Sequence, residues 1–90
     1  MAKYIVKGSG ATADMDFDNL KDARRFAYFR VMILAYKKSK VISNGKLIGY
    51  AEYQAGIIIW VRAGNKYAYD RLYKDGSIRA LKSPIESRER

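Results

Sequence analysis

Between Trp60 and Arg79 the chain sets large rings and guanidinium groups at alternate positions. Trp60 and Arg62 come first, then Tyr67, Tyr69, Arg71 and Tyr73, and then Arg79. In extended backbone, residues two apart share a face. The spacing therefore gathers Tyr67, Tyr69, Arg71 and Tyr73 on one side of a strand, and Trp60 with Arg62 on one side of another. Such a surface has a definite chemistry. Rings stack on the π-faces of unpaired bases, at about 1–3 kcal/mol per base, while cations meet the phosphates. Trp60, Tyr67, Tyr69 and Tyr73 are the candidate stacking residues, and Arg62, Arg71 and Arg79 the candidate phosphate contacts. Tyr50 or Tyr53 joins them, because "YAEY" places one on each side of its strand. The same rings serve equally as good strand formers that bind nothing, or as core with Ile57 and Ile59 outside.

A second surface comes from "DNLKDARRFAYFRVMILAYKK", Asp18 to Lys38. At roughly 100° per residue, Leu20, Ala23, Ala27, Val31 and Leu34 form one apolar stripe, with two alanines that allow close approach to a sheet. The opposite side is apolar as well: Phe26, Phe29, Met32, Ile33 and Tyr36 gather there. A helix lying on one sheet cannot bury both sides. These five residues are the candidate partner or dimer interface, and a symmetric homodimer is the commonest way to cover such a face. Met15 and Phe17 folding back, or a core stripe wide enough to take in Phe26, are the alternatives.

Composition narrows the chemistry. The 90 residues contain no Cys and no His, so Cys-ligated metals, disulfides, His-ligated metals and His-based catalysis are excluded. Hydrophobic residues make up 49%, enough to fold, and the eight Tyr favour half-wet positions. The formal net charge is +9, unevenly spread: residues 1–22 carry three basic and four acidic groups, residues 23–90 fifteen and five. A positive field of that kind attracts nucleic acid, DNA or RNA, an anionic membrane or an acidic protein surface, and of these the membrane is not expected as a partner. The longest apolar runs, "VMILAY" and "IIIWV", are too short to span a bilayer, and "MAKYIVKGSG" has too short an apolar core for a signal peptide. A cytoplasmic protein is expected.

These residues need elements to hold them. "KYIVKG" reads as a strand, "SGATADMDF" as a loop, and Asp18 or Asn19 as the start of a helix that runs to about Lys38. Asp18 caps its first amides, Asp22 lies near the positive end, and Lys37, Lys38 and Lys40 lie near the negative end. Asn44-Gly45 between apolar runs predicts a hairpin. Ala55-Gly56, Gly64-Asn65 and "KDG" at 74–76 predict further turns, separating "IIIWVRA", "KYAYDRLY" and "SIRALK". The expected fold is α+β: an antiparallel sheet of four to five strands, in the order β-α-β-β-β-β, with one long helix packed on one face. Ile57, Ile59 and Val61 are expected beneath the helix. Residues 1–82 form one domain and 83–90 a polar tail.

Other motifs carry less. "DMDFD" spaces carboxylates as a calcium loop begins, but Asn19 stands at the sixth position and Arg25 at the twelfth, where Gly and Glu belong. "GSG" at 8–10 lacks the rest of a phosphate loop. No metal or cofactor site and no enzyme is expected. The stretch "FDNLKDARRFA" after a strand resembles the opening of small uncharacterised phage and prophage accessory proteins. That resemblance covers roughly the first 38 residues; it implies no particular activity, only a mobile-element binding protein, some of which bind DNA and others a host protein. The reading is a small, basic, non-enzymatic binding protein for nucleic acid. The alternative is a protein–protein interaction module acting through the outer helix face.

Overall fold

A computed structural model describes residues 3–9, 12–64 and 69–81. Tyr67 and the expected tail at 83–90 lie outside the described residues. Strands β1 (Tyr4–Val6) and β2 (Met15–Phe17) precede helix α1 (Leu20–Met32). Five strands follow it: β3 (Lys38–Ser43), β4 (Lys46–Gln54), β5 (Ile57–Arg62), β6 (Tyr69–Leu72) and β7 (Ile78–Ala80). All pair antiparallel in one sheet of order β2-β1-β3-β4-β5-β6-β7.

The α+β class, the antiparallel sheet and, among the described residues, the single helix are those expected. The sheet is larger, with seven strands rather than four to five. The largest correction to the chain order lies in "DMDFD". Its alternation is a strand signal: Met15 pairs with Val6 and Phe17 with Tyr4, while Asp16 falls on the other face opposite Ile5.

The helix begins one residue later than an Asp18 cap requires. Asn19 is extended (φ −138°, ψ 158°), and its side chain accepts from the Asp22 amide at 2.8 Å. The far end departs more. The helix stops at Met32, not near Lys38, and Ala35 adopts a left-handed φ of 59°. The Arg30 carbonyl accepts from the amides of Leu34 and Tyr36, both at 3.1 Å. Nothing in "VMILAYKK" breaks a helix locally. Tertiary pairing decides: Lys38 to Ser43 gains ladders with both β1 and β4. Of the lysines expected at a helix terminus, Lys38 and Lys40 are strand residues and Lys37 lies just before β3.

The helix covers the sheet with the expected stripe. Ala23, Ala27 and Val31 are buried against Val6, Val41, Ala51, Ile58, Trp60 and Leu72, with Leu20 half-buried beside them. Leu34, assigned to that stripe, lies past the helix end and is exposed. Trp60 is only 2% exposed and belongs to this core, so β5 presents the opposite face from the one expected. The register gives the reason: Ala51, Trp60 and Asp70 stand in one row across β4, β5 and β6. Gly49 makes space for the indole, because a Cβ there would fall 2.6 Å from Trp60 Cζ2 and 2.7 Å from the Val61 carbonyl oxygen. Large ring and absent side chain are complementary.

Arg30 is buried in the middle of this packing, 1% exposed. Its guanidinium donates to the carbonyls of Val6 (3.2 Å), Lys7 (2.5 Å) and Ala13. It lies 4.7 Å from the Phe26 ring centre and 5.6 Å from that of Tyr36. This cation ties the β1–β2 connection to the helix.

Candidate nucleic-acid interface

The face of the sheet away from the helix is built by two cross-strand rows. In one, Lys40, Tyr50, Val61 and Tyr69 stand in register across β3 to β6. Lys7, one step beyond the Val6–Val41 pair, extends the row onto β1, its amide donating to the Lys40 carbonyl at 2.9 Å. The adjacent row runs Lys38, Glu52, Ile59, Arg71 and Arg79 across β3 to β7. At about 4.8 Å between strands, the span from β1 to β7 is roughly 24 Å.

Among the described residues no helix covers this face, yet Ile59 and Val61 are buried there, at 0% and 2% exposure. Their row neighbours flank them: Tyr50 and Tyr69 on either side of Val61, Glu52 and Arg71 on either side of Ile59. The rings thus close a small apolar floor while staying half-exposed themselves. Burial, and secondarily the Glu52 carboxylate and the neighbouring Tyr69 phenol, pushes the Tyr50 phenol above its ordinary value. It stays protonated at neutral pH and keeps its O–H as a donor. The Lys38 ammonium lies 4.8 Å from the Tyr50 ring centre.

The charges on this face are unbalanced. Lys38, Lys40, Arg71 and Arg79 are all exposed, and none forms an ion pair among the described residues. Arg71 stands directly opposite Arg79, and Lys7 opposite Lys40. Like charges in directly opposed positions destabilise a sheet. Glu52 is the one carboxylate in the two rows, and it faces Lys38.

The sequence-derived set divides accordingly. Tyr69, Arg71 and Arg79 lie on this face, and Tyr73 follows β6 with its ring centre 5.2 Å from the Arg71 guanidinium. Trp60 and Arg62 do not. Trp60 is sealed under the helix with the Arg24 guanidinium 5.9 Å from its ring centre, so it has no face to offer a base. Arg62 uses its fork on the buried Asp70 carboxylate, Nε to Oδ2 at 3.2 Å and Nη2 to Oδ1 at 3.3 Å. Lys7, Lys38 and Lys40 were missed. For Lys38 and Lys40 the signal was the alternation in "KSKVIS", masked by the overlong helix; Lys7 lies in the other run, "KYIVKG".

The second surface also changes shape. Phe17 covers Phe26, with ring centres 5.4 Å apart, and Tyr36 is half-buried under the Arg30 guanidinium. Phe29, Met32 and Ile33 stay open at 42%, 46% and 63% exposure, and Leu34 joins them at 46%. The candidate interface therefore contracts to the C-terminal end of the helix.

Among the described residues no helix is long and apolar enough to cross a membrane, and no group of three or more acidic side chains is placed to hold a metal ion. Comparison of the chain with family models, curated proteins and solved structures gives no match.

Proposed function

We propose that this chain is a non-enzymatic nucleic-acid-binding protein that uses the open sheet face. Tyr50 and Tyr69 offer rings to unpaired bases, with Tyr73 at the margin. Lys7, Lys38, Lys40, Arg71 and Arg79 receive the phosphates. The observation that carries this reading is the pair of like-charge oppositions, Arg71 with Arg79 and Lys7 with Lys40. A sheet that bound nothing would gain by placing one acid in each pair. At the β1 end Asp14 answers Lys7 but no acid among the described residues pairs with Lys40, and at the β7 end none pairs with Arg71 or Arg79; a polyanion laid across the strands supplies that charge. An oligothymidylate titration tests it. Tyr69→Ala is expected to weaken binding by roughly tenfold, in line with the loss of one stacked base. Unchanged affinity in that variant removes the stacking role.

A second reading rests on Phe29, Met32, Ile33 and Leu34, exposed apolar residues at the C-terminal end of the helix. It makes the chain a protein-interaction module, with a second copy as the simplest partner. Light scattering tests this: a dimer that becomes a monomer in Ile33→Glu supports it, and a wild-type monomer at high concentration rejects a self-partner.

A further inference from the structure

At one end of the open face the sheet forms a concavity of about 400 Å³, walled by Lys7, Ser9, Tyr36, Lys38, Lys40 and Ile42. We infer that this pocket holds the terminal phosphate monoester of a single-stranded nucleic acid, so that the protein recognises a strand end. The inference rests on the nucleic-acid reading of the face.

Three observations lead there. The first is charge: three lysines line one small space, and of these only Lys7 has an acidic partner among the described residues, Asp14 Oδ2 at 2.9 Å, while the Lys38 ammonium lies over the Tyr50 ring. A monoester carries close to two negative charges at neutral pH, against one for a backbone diester, and offers three acceptor oxygens. The second is an orphaned donor. Tyr36 lines the pocket, and its hydroxyl is buried with no partner among the described residues.

The third is the boundary. Beyond β1 the next strand is β2, and its contribution to the same face is the Asp16 carboxylate, opposite Ile5. Asp14 stands beside Lys7, its other oxygen held by the Gly8 amide at 2.7 Å. A phosphate chain that follows the basic rows from β7 toward β1 meets carboxylates as soon as it passes the pocket. Repulsion stops the track there, so the phosphate seated among the three lysines is the last one.

Anisotropy titrations with three internally labelled oligothymidylates test this, one phosphorylated at the 5′ end, one at the 3′ end, one with hydroxyls at both. One phosphorylated oligonucleotide is expected to bind about tenfold tighter than the hydroxyl form. In Lys40→Gln that advantage should shrink below about twofold, with Lys38→Gln as the second variant if the first melts early. If all three oligonucleotides bind the wild type equally, the pocket holds no end group and the inference falls while the nucleic-acid reading stands. An advantage that survives in both variants places the phosphate elsewhere and also overturns it. If none binds, both fall together.

Discussion

Arg71 and Arg79 face each other directly across β6 and β7, on the uncovered side of the sheet, with no acidic partner among the described residues. This opposition sets function against stability. Replacing either with Gln removes a like-charge pair that costs about 0.2–1 kcal/mol. Arg71→Gln should therefore melt at or slightly above the wild-type temperature at low salt, and the difference should vanish at high salt as the charges are screened. The same variant should bind oligothymidylate several-fold more weakly. A variant that melts well below the wild type shows that Arg71 is a structural residue and not a binding one.

Arg30 makes a different demand. Three carbonyls, of Val6, Lys7 and Ala13, depend on its guanidinium, and the helix has no other buried cation. Arg30→Met keeps the bulk and removes the donors. A buried carbonyl left without a partner costs about 1–3 kcal/mol. For a chain of this size that lowers the melting temperature by at least about 4 °C. Amide exchange should quicken first in Tyr4–Val6, where β1 loses its tie to the helix. A melting temperature equal to the wild type contradicts the role given to Arg30.

Two exposed carboxylates set the acid limit. The Gly8 amide, then the Lys7 side chain, hold Asp14 below its ordinary value of 3.8, and the Ser77 hydroxyl, then its amide, do the same for Asp75. Each is lower in the folded chain than in the unfolded one. Their contribution to stability is complete above about pH 4 and is lost as pH falls through the lowered values. Melting temperature against pH should drop on that limb, and the drop should be shallower in Asp14→Asn. An identical slope in the variant removes Asp14 from the account.

Much of this fold was legible in the chain. Asn44-Gly45 predicted the β3–β4 turn, and both residues take the positive φ it requires, 54° and 75°. The stripe of Ala23, Ala27 and Val31 was readable because helical periodicity survives tertiary packing. Three features were not. The stop at Met32 is imposed by strand pairing of Lys38–Ser43, which no local residue announces. The three residues of β2 are too few to stand out, though Met15 and Phe17 alternate correctly. The face of β5 was ambiguous because Ile57, Ile59 and Val61 look no less like core than Ile58 and Trp60. Both sets are in fact largely withdrawn from water, one by the helix and one by neighbouring Tyr, Glu and Arg side chains. Only the register of Trp60 against Ala51 and Asp70, and the space at Gly49, tell them apart.

That the open face binds a polyanion is the claim beneath the rest, and its salt dependence tests it most directly. Lys7, Lys38, Lys40, Arg71 and Arg79 give up to five phosphate contacts. The logarithm of the affinity for oligothymidylate should then fall against the logarithm of salt concentration with a slope as steep as about −3.5. No binding at low salt, or an affinity that does not change as salt rises, contradicts it.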